Sequence, residues 1–180
     1  TNFGYSLALQ TATKYAQQRG YDYLLLMDAD GQHDPAYLKQ LATYLLEHEL
    51  DLVIGSRFGS GMPRDLPWPR RIVMYILARM TSVALGQKVT DTTSGFKAVR
   101  NTVFREMQAA HIVDFHSEFL VYLKMRGYKL GEIGVAMHPR LAGQSMHNWM
   151  SLLSLPPRTF VGMVMGVLEA VAANRQKHSK

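Results

Sequence analysis

Residues 21–35 read YDYLLLMDADGQHDP, and this stretch decides both the fold and the chemistry of the chain. The apolar run at residues 21–27 is typical of a strand buried on both faces of a parallel sheet. The Asp- and Gly-rich sequence that follows predicts a turn. Asp28 and Asp30 therefore lie where a buried strand gives way to a loop, which is the edge where open α/β sheets bind ligands.

Two carboxylates at this spacing are able to point the same way and share one hard cation. Mg²⁺ or Mn²⁺ prefers oxygen ligands and also takes diphosphate oxygens, and the Gln32 amide oxygen is a third candidate ligand. The structural alternative is a plain strand-end turn, because Asp and Gly are common turn formers. His33 has three open interpretations: a metal ligand, a hydrogen-bond donor behind the ligands, or a histidine on a surface loop.

Helices and strands alternate on either side of this stretch. We predict a helix over residues 5–19, stopped by Gly20, and a second helix over 34–48 with Asp34 as its N-cap and Pro35 in its first turn. A second buried strand is predicted over residues 51–55. This alternation predicts an α/β fold with a mainly parallel sheet flanked by helices.

The rest of the chain continues the pattern. Predicted helices cover residues 70–85, 101–110 and 118–126, a short strand ends the segment 91–100, and another strand covers 129–137. The tail from residue 148 is expected to be helical around Pro156 and Pro157. We therefore expect one α/β domain over residues 1–147 and a C-terminal helical extension over 148–180.

Composition narrows the function classes. The chain has 180 residues, of which 47% are hydrophobic, so whole-chain disorder is excluded. It has no cysteine, which excludes disulfides and thiolate metal sites and fits the cytosol. The net charge is +6, but the positive residues are scattered, which favours phosphate or membrane partners over nucleic acid.

The ordered motifs resemble those of family 2 glycosyltransferases of the GT-A fold, especially the dolichol-phosphate (polyprenyl-phosphate) mannosyltransferase-like branch. The likeness covers about residues 2–145. Five segments carry it: residues 2–5 (NFGY), 26–35 (LMDADGQHDP), 51–58 (DLVIGSRF), 91–100 (DTTSGFKAVR), and 127–135 (GYKLGEIGV) with 140–145 (RLAGQS).

The resemblance implies transfer of a hexose from a nucleotide sugar, of the GDP-mannose or UDP-glucose type, to a polyprenyl phosphate. It implies that Asp28, Asp30 and Gln32 hold Mg²⁺ or Mn²⁺, and that Asp30, Arg57 and Asp91 act in catalysis. The residues implied to bind substrate are Arg57, Arg70, Arg71, Ser94, Gly95, Phe96, Arg140 and Ser145.

Structural readings stand beside these roles. Arg57 is alternatively part of a loop salt bridge, and Arg70 and Arg71 are alternatively a solvated face at the start of a helix. Asp91 either orients the sugar or caps a turn. In the segment 114–118, Asp114 or Glu118 is either a base for a hydroxyl acceptor or, for Asp114, a helix cap.

Two apolar stretches, residues 72–85 and 160–173, are interrupted by Arg79 and Glu169, so we expect neither to span a membrane. Peripheral contact with the inner face of the membrane is expected near Trp68 and Trp149. The family's usual opening strand–helix–strand, which binds the nucleotide base, has no match here. We therefore expect an N-terminally truncated fold, completed by a missing segment or a homodimer partner. Met146 also replaces the family's lysine.

Three functions follow from the sequence. The first is a metal-dependent glycosyltransferase that uses a polyprenyl phosphate. The second is a catalytically inactive remnant that serves as a binding or scaffold module, suggested by the missing nucleotide half-site. The third is a glycosyltransferase that uses a hydroxyl acceptor, which would require a carboxylate base at Asp114 or Glu118.

Overall fold

The computed structural model describes residues 4–59, 67–109, 115–136, 138 and 149–178. Within these residues the predicted alternation of helices and strands is confirmed. In chain order the elements are α1 (Tyr5–Gln18), β1 (Tyr23–Leu26), α2 (Tyr37–Glu47), β2 (Leu52–Ser56), α3 (Trp68–Leu85), β3 (Lys97–Arg100), α4 (Asn101–Ala109), α5 (Ser117–Met125), β4 (Leu130–Gly134) and α6 (Trp149–His178).

The four described strands form one sheet in the order β1-β3-β2-β4. β2 and β4 pair in parallel, and β3 lies antiparallel between β1 and β2, with Val53 opposite Ala98. β1, β2 and β4 therefore run in one direction, as the alternation predicts. Their carboxyl ends lie at the same edge as the start of β3, and this edge gathers the loops after β1 and β2 with the loop before β3.

The sheet is covered on both faces. Leu52 and Ile54 of β2 face one apolar cluster, while Val53 faces a second cluster that includes Leu41 and Leu45 of α2. All three β2 side chains are fully buried. Because neighbouring side chains in a strand point to opposite faces, this apolar run requires helices on both sides of the sheet.

The helix α6 packs against α5 by close backbone approach. A Cβ atom placed at Gly162 would meet the Glu118 carboxylate, and one placed at Gly166 would meet the Glu118 backbone carbonyl. Met163 and Ala170 of α6 are buried in the larger core cluster. The predicted C-terminal extension is thus helical and shares the core of the domain, while the predicted boundary at 147/148 lies outside the described residues.

The start of α2 differs from the prediction. The helix begins at Tyr37, and the Asp34 carboxylate accepts a hydrogen bond from the Ala36 amide at 2.9 Å. An aspartate that bonds the backbone two residues later closes a turn. Asp34 therefore stabilises a turn that precedes the helix and is not its N-cap.

The expectation that the stretch 160–173 does not span a membrane stays a prediction, although the helix around it meets the length and composition of a span. Among the described residues, one stretch, Ser154–Arg175, is long and apolar enough, with a mean hydropathy of 1.2 and 17% of it buried. Core helices of soluble proteins pass the same test, so the stretch establishes no topology.

Candidate active site at the carboxyl edge of the sheet

The Asp28 carboxylate is the most accessible acidic group of the candidate site. It follows β1, its side chain is 48% exposed, and His33 Nε2 lies 3.5 Å from Oδ2. The hydrogen bond from His33 holds the pKa of Asp28 below its ordinary value against the effect of burial, and the positive charges of Lys97 and Arg57 act in the same direction. Asp28 is therefore ionised at neutral pH and open to a ligand.

Gly95 forms the floor under Asp28. A Cβ atom at residue 95 would lie 2.5 Å from Asp28 Oδ1 and 2.7 Å from Cγ, closer than real Cβ contacts allow. Only glycine leaves room for this carboxylate. The sequence predicts that Gly95 contacts substrate, whereas the structure places it directly behind Asp28.

The remaining loop residues of the motif are held in place by local hydrogen bonds. The backbone amide of Gln32 donates to Asp30 Oδ1 at 3.1 Å. The backbone carbonyl of Gln32 accepts a hydrogen bond from the backbone amide of His138 at 2.9 Å. His33 is buried, with its ring 4.8 Å from that of Phe96, which excludes the surface-loop interpretation. No described residue hydrogen-bonds His33 Nδ1.

Arg57 and Asp91 form a bidentate ion pair beside the loop. Arg57 Nε lies 2.6 Å from Asp91 Oδ2, Nη2 lies 2.7 Å from Oδ1, and the Arg57 amide also donates to Oδ2 at 3.0 Å. Nη2 donates further to the Thr93 hydroxyl at 2.6 Å. Burial opposes the charge of Arg57, but the bonds to Asp91 raise its pKa, so the guanidinium stays charged.

This geometry assigns different tasks to the two partners. The Asp91 side chain is fully buried and both its oxygens are occupied, while the Arg57 side chain is 23% exposed. The structure therefore favours Asp91 as a positioning residue for Arg57 over direct contact with a sugar. The salt-bridge interpretation of Arg57 is confirmed, and the fixed guanidinium remains accessible to an anion.

Glu132 of β4 holds the Asp91 segment against the sheet. Its carboxylate accepts hydrogen bonds from the Thr90 amide at 2.8 Å, the Thr90 hydroxyl at 3.0 Å and the Asp91 amide at 2.8 Å. The Ser56 hydroxyl adds a contact to the Thr90 hydroxyl at 2.6 Å. The Arg57–Asp91 pair is thus fixed from two strands, a support that the sequence does not reveal.

Lys97 is a buried cation that interacts electrostatically with Asp91 and Asp28. Its residue is 3% exposed, and its ammonium group donates to the Ser94 carbonyl. Burial lowers the pKa of Lys97 to about 8, although the negative charges of Asp91 and Asp28 oppose this shift. Sequence reasoning gave Lys97 no role, because the letters of the motif 91–100 do not show that its side chain is buried.

His116 is the second group that sequence reasoning missed. It lies just before α5 and stacks on Tyr5 with ring centroids 5.9 Å apart. Burial lowers the pKa of His116 to about 3, and the charge of Lys97 contributes. The imidazole is therefore neutral, and its buried Nδ1 has no hydrogen-bond partner among the described residues.

The predicted wall residues Ser94 and Phe96 lie beneath the site. The Ser94 hydroxyl donates to the Gly55 carbonyl at 2.7 Å and accepts from the Phe96 amide at 3.2 Å. Phe96 is fully buried. Both side chains are buried and shape the floor of the site from below, and their predicted contact with substrate stays a prediction.

Other predicted residues fall elsewhere. Arg70 and Arg71 lie in the first turn of α3, with Arg70 partly buried and Arg71 exposed. The Glu118 carboxylate packs against Gly162 of α6. The remaining residues with a predicted or discussed role, namely Asp114, Arg140, Ser145 and Met146, lie outside the described residues, as does the side chain of Trp149.

The donor set fits a divalent cation that is shared with a substrate. Among the described residues, no three His, Asp or Glu side chains lie close enough to hold a metal alone. Mg²⁺ usually takes one or two carboxylates and completes its shell with water and substrate phosphates. Asp28, ionised and seated in a cradle that a Cβ atom would fill, suits that mode of binding.

Known proteins share sequence similarity with this chain over most of its length. A family model described as "Glycosyl transferase family 2" matches residues 1–108. The chain is 32% identical over 138 residues to the undecaprenyl-phosphate mannosyltransferase of Micrococcus luteus, covering 73% of this chain and 56% of that protein.

Two further relatives show the same extent of similarity. The polyprenol monophosphomannose synthase of Mycolicibacterium smegmatis is 29% identical over 147 residues, covering 79% of this chain and 55% of that protein. The UDP-N-acetylglucosamine–dolichyl-phosphate N-acetylglucosaminyltransferase of Methanococcus voltae is 28% identical over 138 residues, covering 74% and 55%. The chain thus spans about half the length of the curated relatives it matches.

Proposed function

The chain belongs to glycosyl transferase family 2, and on that premise we propose that it transfers a hexose from a nucleotide sugar to a polyprenyl phosphate. The names of the relatives support this class of acceptor. One structural observation carries the proposal: the accessible, ionised Asp28 carboxylate shares an electrostatic cluster with the fixed guanidinium of Arg57.

We assign Asp28, Asp30 and Gln32 to Mg²⁺ or Mn²⁺ and to the donor diphosphate. The cation, when bound, neutralises the charge that develops on the leaving nucleoside diphosphate. Asp28 supplies an ionised oxygen ligand at the surface. The hydrogen bond from the backbone amide of Gln32 orients the Asp30 side chain, so the Asp30 carboxylate is held in a fixed position.

Arg57 serves the phosphate groups of the substrates. Asp91 fixes the guanidinium through two hydrogen bonds, so little side-chain entropy is lost when a phosphate binds. An ionised lipid phosphate is already nucleophilic, so the reaction needs positioning and charge stabilisation more than a general base. Glu118, the candidate base for a hydroxyl acceptor, packs against α6, which supports the phosphate acceptor.

We further propose that α3 and α6 place the chain at the cytoplasmic face of a membrane. Trp68 is 69% exposed, and Ile72 and Tyr75 extend the same exposed stripe of α3. On α6 the exposed apolar side chains are Phe160, Val161, Val164, Met165, Leu168 and Val171. Two apolar stripes on adjacent helices suit a lipid surface, where the acceptor resides.

The test is sugar transfer by the complete gene product with radiolabelled GDP-mannose, UDP-glucose or UDP-N-acetylglucosamine and undecaprenyl phosphate. We expect one donor to be used, with activity lost in EDTA and in Asp28→Asn. Asp22→Asn is the matched control, because Asp22 is an exposed carboxylate at the opposite end of β1. Absence of transfer from every donor would instead favour the inactive binding module.

A further inference from the structure

A groove of about 680 Å³ opens beside the candidate site, along α3. Tyr75, Ala78 and Val83 line it from the helix, and Val83 is 76% exposed. The opposite wall is the segment from Gly86 to Thr90 that follows the helix. Its volume lies in the range of pockets that hold apolar small molecules.

The end of this groove adjoins the Arg57–Asp91 pair. Phe58 lines the groove, and the Arg57 guanidinium lies 5.3 Å from the centre of the Phe58 ring. Thr90 lines it as well, and it directly precedes Asp91. The Phe58 ring therefore contacts both the apolar groove and the Arg57 guanidinium, which we assign to phosphate.

The charge of the groove suits an anionic amphiphile. The charged residues in its lining are Arg79 and Lys88, and both are exposed. No acidic side chain lines it in the described part of the chain. Arg and Lys also offer long aliphatic stems to an apolar ligand while their charged ends stay in water.

We propose that this groove receives the first isoprene units of the acceptor, with the acceptor phosphate at Arg57. The inference rests on the proposed function and adds to it the part of the molecule that recognises the lipid chain. Apolar contact with the α3 face then lowers the KM for long-chain prenyl phosphates. None of the residues that line the groove is one that we assign to the metal ion or the donor diphosphate, so we expect the groove to leave binding of the nucleotide sugar unchanged.

The first experiment blocks the groove and uses the complete gene product. In Ala78→Phe the ring fills the groove, whereas in Ala84→Phe the same change is made at an exposed position of α3 that does not line it. We expect Ala78→Phe to raise the KM for undecaprenyl phosphate about tenfold, the effect of about 1.4 kcal/mol of lost apolar contact. The KM for methyl phosphate, an acceptor with no isoprene unit, and the KM for the donor should stay within twofold.

Equal kinetics of Ala78→Phe and Ala84→Phe, or an equal loss with both acceptors, would overturn the groove assignment. If Ala78→Phe fails to fold, Val83→Asp gives the same test, because exposed Val83 tolerates a charge and an aspartate repels the lipid. Crosslinking by a photoactivatable prenyl phosphate, mapped by mass spectrometry, separates the two proposals. Labelling of α3 without sugar transfer would refute the proposed function alone, and transfer without labelling would refute the groove.

Discussion

Replacing Gly95 by alanine tests the architecture of the site, because the structure predicts a loss of activity without a loss of stability. A Cβ atom at residue 95 would lie 2.5 Å from Asp28 Oδ1, and ordinary contact begins at 3.4 Å. Oδ2 would lie closer still, so the Asp28 carboxylate must move by about 1 Å. A shift of this size at a catalytic group costs roughly 100-fold in rate, or about 2.7 kcal/mol.

The fold should tolerate the same substitution. Gly95 is not among the described glycines with a positive φ, so alanine fits its backbone. The Asp28 side chain is half-exposed and is free to swing toward solvent. Alanine at a compatible position also restricts the unfolded chain and stabilises by about 0.4–1 kcal/mol. We therefore expect a melting temperature equal to or slightly above that of the wild type.

The assay measures kcat/KM for sugar transfer by wild type, Gly95→Ala, Asp28→Asn and the double variant. If alanine acts by displacing Asp28, the double variant loses no more activity than Asp28→Asn alone. If the losses of activity in the two single variants were additive in the double variant, Gly95→Ala would act on a group other than Asp28. Unchanged activity of Gly95→Ala would refute the placement of Asp28 against Gly95.

Three further predictions concern the residues around the site. Asp91→Asn should lower the free energy of unfolding, measured in urea, by about 2–3 kcal/mol. This loss is smaller than that expected for a fully buried ion pair, because Arg57 is partly exposed. A loss below about 0.5 kcal/mol would contradict the ion pair. Burial lowers the pKa of Lys97 from 10.5 to about 8 in the folded chain. Between these two pH values Lys97 is protonated in the unfolded chain and largely neutral in the folded chain. The free energy of unfolding of the wild type, relative to that of Lys97→Met, should therefore rise by up to about 3 kcal/mol between pH 8 and 10.5 in EDTA. If the two free energies changed in parallel with pH, a buried ammonium group at Lys97 would be excluded. Glu132→Gln should speed hydrogen exchange of the Thr90 amide about tenfold, because about 1.4 kcal/mol of charge-assisted hydrogen bonding is lost. An unchanged exchange rate would show that Glu132 does not hold this segment in place.

The local signals in the sequence predicted the framework well. The apolar run before Asp28 and the buried run at residues 51–55 became β1 and β2, and Gly20 follows the end of α1. These elements are specified by neighbouring residues, so their periodicity is visible in the sequence. The family resemblance was confirmed by the match over residues 1–108.

Long-range pairing was not predictable from the same signals. β3 lies antiparallel between β1 and β2, although it follows both in sequence by more than forty residues. The ion pair of Arg57 with Asp91 crosses 34 positions. Nothing local in either segment reveals that these two side chains meet.

Burial of polar groups was equally invisible. A lysine is almost never fully buried and a histidine is usually buried only in part, so the sequence gives no sign of where Lys97 and His116 lie. Only the packed structure shows that Lys97 is buried, that His116 is partly buried, and that burial lowers the pKa of both. The burial of Ser94 and Phe96 was hidden for the same reason, since sequence shows proximity along the chain and not depth.

Donor binding is the most direct test of the central claim that the loop after β1 binds a metal ion and the donor diphosphate. The measurement is isothermal titration of the complete gene product with the donor it uses, in Mn²⁺ and in EDTA, for wild type, Asp28→Asn and Asp22→Asn. We predict binding in Mn²⁺ for wild type and Asp22→Asn, and at least tenfold weaker binding in EDTA or in Asp28→Asn. Equal affinity with and without metal, or full affinity in Asp28→Asn, would contradict the account.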